Sequence, residues 1–110
     1  LRVDANGGWT VEEAVQAAQM MMPLDYMEQP CATTEELAQV RGRLMRAGLF
    51  VRVAADESIR KVADPYRVAE LQAADVAVVK PAPLGGVRRV LEVAQHLRQR
   101  HMDITVASAL

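Results

Sequence analysis

Cysteine is almost missing from these 110 residues: Cys31 stands alone. A disulfide framework and a multi-cysteine zinc site are therefore excluded within the chain, and one thiol in an apolar setting reads as a small core residue. Charge of one sign is not in excess, since 13 basic residues face 14 acidic ones for a net charge of −1. With no basic block, nucleic acid and an anionic membrane surface drop out as expected partners. No apolar run approaches the ~20 residues of a membrane span, and the residues from Leu1 onward lack the pattern of a secretory leader. A reducing, cytoplasmic setting is the expectation. What remains is a globular composition, 51% apolar and 25% charged, at a length suited to one domain.

One design repeats along the chain: a short apolar run ends in a charged or polar residue and is followed by a helix start. Leu1–Asp4 is the first strand candidate. Gly7-Gly8 breaks it, and Thr10 with Glu13 forms a capping box. Val11, Ala14, Val15, Ala18 and Met21 continue at helical spacing until Pro23. Leu24–Glu28 is the second strand, closed by Gln29-Pro30, and Thr33 with Glu36 repeats the capping box. Leu37, Val40 and Leu44 make the apolar stripe of that helix, with Gly48 at its C′ position. Leu49–Ala55 is the third strand, and Asp64-Pro65 reads as an N-cap and first helical residue for a short helix carrying Val68 and Leu71. Val76–Val79 is apolar throughout, as in a strand buried on both faces. Pro81 to Gly86 reads as a loop, Val87, Val90, Leu91, Ala94 and Leu97 mark the longest helix, and Ile104–Ala107 is the last strand.

The order βαβαβαβαβ gives an α/β fold with a parallel sheet and right-handed crossovers. An open doubly wound sheet and a (β/α) barrel compete. A solenoid of the same period is set aside, because the Leu-x-x-Leu-x-Leu pattern is absent and the helices are too long. Polar or charged residues close every strand, where a barrel gathers its chemistry, so the barrel is favoured. Five strands are a bit over half of one. The chain opens inside one strand and stops just after another, so a piece of a longer protein is expected.

The strand-end residues are Asp4, Glu28, Asp56, Lys80 and Ser108, at intervals of 24, 28, 24 and 28 residues. Neighbouring parallel strands lie ~4.8 Å apart, so three carboxylates on successive strands can converge. Left unpaired they repel one another. A divalent cation relieves the conflict, and an all-oxygen set suits Mg²⁺ or Mn²⁺ rather than zinc. Lys80 on the next strand adds a group able to take or give a proton. Metal and lysine together are equipment for abstracting a proton next to a carboxylate, so a small-molecule carboxylate is the expected substrate. Taken singly, the same residues read otherwise: a strand-end acid is commonly a loop residue or helix cap, and Lys80 can snorkel to solvent. His96 and His101 are expected to be exposed, Met20-Met21-Met22 to pack, Trp9 to cover a barrel end, and Asn6 to support the carboxylate site.

The ordered phrases Val3-Asp4-Ala5-Asn6, Glu28-Gln29-Pro30, Ala55-Asp56-Glu57-Ser58 and Val79-Lys80 resemble the enolase superfamily, and more narrowly its muconate-lactonising subgroup. Gly7-Gly8-Trp9, Cys31-Ala32-Thr33, Ile59-Arg60-Lys61, Pro83-Leu84-Gly85-Gly86 and Ser108-Ala109-Leu110 are similar to a dehydratase of menaquinone biosynthesis within that subgroup. The resemblance implies part of an enolase-type (β/α)7β TIM-like barrel, about strands three to seven. Residues 1–110 would be a fragment of the catalytic barrel domain. The N-terminal capping domain, the barrel ends and a Lys-x-Lys base would lie outside it. Mg²⁺ (Mn²⁺ possible) would sit on Asp4, Glu28 and Asp56. Lys80 would act as acid/base partner or stabilising cation, and Ser108 would approach a substrate carboxylate. The implied reaction is Mg²⁺-dependent dehydration of a succinylated hydroxycyclohexadiene carboxylate through a metal-stabilised enediolate. Racemisation of N-succinylamino acids, epimerisation of dipeptides, or a non-catalytic fragment are the alternatives.

Overall fold

The computed structural model describes residues 2–21, 24–60 and 64–107. Strands and helices alternate: β1 (Arg2–Asp4), α1 (Val11–Met20), β2 (Tyr26–Glu28), α2 (Thr34–Arg46), β3 (Arg52–Ala55), α3 (Asp64–Glu70), β4 (Val76–Val79), the single turn α4 (Pro81–Leu84), α5 (Val87–Gln99) and β5 (Asp103–Val106). Both capping boxes form. Thr10 Oγ1 accepts from the Glu13 N–H at 3.1 Å while Glu13 Oε1 accepts from the Thr10 N–H at 3.0 Å, and Thr33 with Glu36 does the same. At the other end of α2, Gly48 takes φ +71°. Its N–H donates to the Met45 carbonyl and that of Leu49 to the Leu44 carbonyl. This Schellman closure satisfies carbonyls that the helix end leaves free.

All neighbouring strands pair in parallel, in the order β1-β2-β3-β4-β5. A doubly wound sheet reverses its strand order at a switch point. Here every crossover steps the same way, so right-handed connections put the helices on one face. On that face Met27, Val53, Ala77 and Val79 pack with Leu37, Val40, Leu44, Val68, Val93 and Leu97 in one buried cluster. The opposite face is concave and lines a cavity of about 900 Å³, open to Arg2, Tyr26, Glu28, Arg52, Val78 and Asp103. Leu37 is fully buried. Leu37→Ala is expected to lower stability by about 2–5 kcal/mol through lost burial and a residual cavity, read as a shift in the urea midpoint at unchanged slope.

Several expectations shift. β3 starts at Arg52 rather than Leu49, because Leu49 is used in closing α2 and Phe50 is 91% exposed. β2 starts at Tyr26, and β5 runs one residue earlier than expected. Pro81–Leu84 forms a helical turn instead of a loop. Asp64 lies in the first turn of α3, and Leu71 falls beyond that helix and is partly exposed. In α5 Val87 and Leu91 point to solvent while Val93 takes the inner position. That helix matches α2 at 13 residues rather than exceeding it. Met20 is 84% exposed, so it does not pack here. Pro23, expected to end α1, lies outside the described residues.

Candidate active site

Strand register places the charged residues. Asp4 stands opposite Glu28, and Glu28 opposite Ala54, two residues before Asp56. Side chains alternate faces along a strand, so Asp4, Glu28 and Asp56 belong to the concave side. Lys80, two residues beyond the cavity-lining Val78, belongs there too. Each follows or ends its strand at the C-terminal edge, where no further ladder residue covers it.

Around these positions charge is dense and half-buried. Lys80 Nζ donates to Asp56 Oδ1 at 2.5 Å. Arg60 Nη1 reaches the same oxygen at 3.2 Å and the Asp56 carbonyl at 2.9 Å. Burial alone would raise the Asp56 pKa, but hydrogen bonds from Lys80 and Arg60, and then their charges, more than offset it and hold it below the usual carboxylate range. Glu28 behaves oppositely: burial, the charges of Asp4 and Asp56, and a hydrogen bond with Asp4 push it up. Glu57 is raised by burial and then by the Asp56 charge. Asp4 Oδ1 accepts from the Asn6 backbone N–H at 2.9 Å, so Asn6 supports that carboxylate through its main chain.

Mg²⁺ is the group the sequence resemblance implies, and the donor chemistry fits it. Every nearby donor is a carboxylate oxygen, the type a hard cation takes. The Glu57 Oε2 atom is buried without a hydrogen-bond partner among the described residues. Together with the raised Glu28 and Glu57, that orphan marks a surplus of negative charge which a cation relieves. Among the described residues no three carboxylate, imidazole or thiolate side chains stand close enough to clasp an ion as they are. Asp56 is instead held by the Lys80 ammonium.

Gln29 is the member that inspection of the sequence missed. It is the only fully buried polar side chain among the described residues, and its amide ties the loops after β2 and β3 together. Only the phrase Glu28-Gln29-Pro30 marked it. Ser108 lies outside the described residues. His96, expected to be exposed, is half-buried on α5, where it meets Tyr66 edge-on at 4.6 Å; His101 is exposed as expected. Cys31 is buried in the core, where desolvation raises its thiol to about 11, so it is no nucleophile at neutral pH. Trp9 is half-buried against the core, and its backbone N–H donates to the Pro30 carbonyl.

Known proteins resemble this arrangement over its whole length. The family of enolase C-terminal domain-like proteins matches residues 1–110. An o-succinylbenzoate synthase of Mycolicibacterium smegmatis is 53% identical over 113 residues, covering 100% of this chain and 33% of that protein. A dipeptide epimerase of Enterococcus faecalis, solved with Mg and the dipeptide L-Leu-L-Tyr, superposes with a TM-score of 0.87 at 26% identity, over 98% of this chain and 30% of that one. Muconate lactonizing enzyme from Pseudomonas putida gives 0.81 at 30% identity, over 97% and 30%. The expected α/β fold, part of an enolase-type barrel, is the fold these structures share. The chain spans about a third of the length of the curated relatives it matches.

Proposed function

The chain belongs to the enolase C-terminal domain-like family, and from that premise we propose that it forms the metal-binding and proton-handling part of an o-succinylbenzoate synthase. Residues 1–110 are then the middle of the catalytic barrel domain. The capping domain, the remaining strands and the principal Lys-x-Lys base come from chain outside them. The reaction is dehydration of 2-succinyl-6-hydroxy-2,4-cyclohexadiene-1-carboxylate: the ring C1–H and C6–OH leave as water and o-succinylbenzoate forms, a step of menaquinone biosynthesis. The placement of Asp4, Glu28, Asp56 and Lys80 on one face along one sheet edge, with Lys80 paired to Asp56, carries this reading.

Asp4, Glu28 and Asp56 would hold Mg²⁺, with Mn²⁺ as a substitute. When bound, the ion supplies a Lewis acid that draws charge from the substrate carboxylate and makes the adjacent C–H more acidic. Lys80 brings an ammonium to the reacting ring, able to pass a proton or to balance the negative charge that grows as the C–H bond breaks. Arg60 holds the backbone and carboxylate of Asp56 from the solvent side. Ser108 is proposed to meet the succinyl carboxylate. The concave face excludes bulk water once the barrel closes over it, which strengthens each of these interactions.

Assay of the full-length protein with the hydroxycyclohexadiene substrate tests this: formation of o-succinylbenzoate that stops on chelation supports it, and no product with Mg²⁺ present refutes it. The likeness to the dipeptide epimerase favours a second reading, 1,1-proton transfer on an N-succinylamino acid or dipeptide. Exchange of that substrate's α-proton in D₂O, without synthase activity, would select it.

A further inference from the structure

We propose that Gln29 is the positioning residue that sets the Asp56 carboxylate for the divalent cation. The inference rests on the metal reading above and adds a residue to it.

Asp56 lies one position past the end of β3, so no strand ladder fixes its backbone. Its N–H instead donates to Gln29 Oε1 at 2.9 Å, and the Ser58 N–H donates to the same oxygen at 3.1 Å. The other end of the amide is used as fully: Nε2 donates to the Cys31 carbonyl at 2.9 Å and to Ser58 Oγ at 2.8 Å. Its main chain adds two links, with the Gln29 N–H on the Ala54 carbonyl and the Gly7 N–H on the Gln29 carbonyl, both at 2.7 Å. Through its side chain and main chain together, this one residue joins the turns that follow β1, β2 and β3, directly after the strand-ending Asp4 and Glu28 and at Asp56 itself.

Two features separate this from ordinary loop bonding. Gln29 is completely buried and every polar atom of its amide is satisfied. Its backbone sits at φ +41°, a region that residues other than glycine seldom adopt and that persists only when surroundings over-determine it. The local strain turns the chain so that the Glu28 side chain faces the cavity while the next residue reaches sideways beneath Asp56. Asp56 itself is drawn by two cations, Lys80 and Arg60. With its backbone clamped from below, the carboxylate can exchange those partners for a metal ion without the loop moving. Groups that orient ligands in this way typically account for 10–100-fold in metal affinity.

The test is Mg²⁺ titration calorimetry on the full-length protein, with amide hydrogen exchange of the metal-free form. Gln29→Met keeps the length and removes the amide. It is expected to weaken Mg²⁺ binding by about 10–100-fold and to speed exchange at the Asp56 and Ser58 N–H groups. Val53→Ala serves as the control, a core change that lowers the melting temperature and leaves Mg²⁺ affinity within about twofold. Gln29→Asn keeps an amide but shortens the side chain by one methylene, which draws the acceptor oxygen back from the Asp56 N–H; it is expected to weaken Mg²⁺ binding and to speed exchange at Asp56 in the same direction, which keeps the test open where Gln29→Met fails to fold. Unchanged Mg²⁺ affinity and unchanged exchange at Asp56 in folded Gln29→Met, or in folded Gln29→Asn, overturns the role of Gln29. Failure of the unaltered protein to bind Mg²⁺ overturns the metal reading itself, and this inference with it.

Discussion

Glu28→Gln in the full-length protein is expected to abolish Mg²⁺ binding while stabilising the metal-free form above the carboxylate range of pH. The two effects have one origin. Glu28 sits between Asp4 and Asp56, and burial with their charges raises its pKa above the ordinary 4.5. A carboxyl with a raised folded pKa binds its proton more tightly folded than unfolded. Its contribution is therefore fully present below the unfolded value and is lost as pH rises through the folded one. At neutral pH the metal-free protein carries that penalty; a neutral glutamine does not. Asp56 works in the opposite sense: its lowered pKa gives stability present above 3.8 and lost as pH falls. Thermal unfolding at pH 7 without metal, paired with Mg²⁺ titration, reads both. A variant that melts below the unaltered protein, or that binds Mg²⁺ as well, contradicts this assignment.

Lys80→Met is expected to separate catalysis from metal binding. Removing a positioned proton-transfer group lowers turnover by about 10²–10⁴-fold. Mg²⁺ affinity is expected to hold or rise, because the Lys80 ammonium occupies Asp56 Oδ1 in the metal-free protein and competes for it. The variant frees that oxygen and removes a like charge from beside the ion. If turnover and Mg²⁺ affinity fall together, Lys80 is holding the site's structure instead of serving the reaction. Among the described residues, Lys80 and Arg60 are the counter-charges of the half-buried Asp56.

Much of this was legible from residue order. β4 was read with both its ends, since Val76–Val79 is an unbroken apolar run between a charged residue and Lys80. Both capping boxes and Gly48 were legible because they are local devices whose partners lie within a few residues. The errors arose where distant neighbours decide. Phe50 has the composition of a strand residue, yet the closure of α2 leaves it in solvent. Val87 and Leu91 keep helical spacing but lie on the side of α5 turned from the sheet. The carboxylates' common face followed from strand alternation alone. Their present partners did not, because the Lys80–Asp56 pair spans 24 positions and its geometry depends on how two loops pack. Gln29 was missed for a related reason. Glutamine ordinarily lies on the surface, and nothing in the local pattern signals a left-handed turn that buries it.

The central claim is the place of the cation, and anomalous scattering from a crystal of the full-length protein soaked with Mn²⁺ tests it most directly. The expected result is one peak bounded by the carboxylates of Asp4, Glu28 and Asp56, with Lys80 Nζ withdrawn from Asp56 Oδ1. A peak on Glu57 in place of Asp56, or no peak at this strand edge, would contradict it.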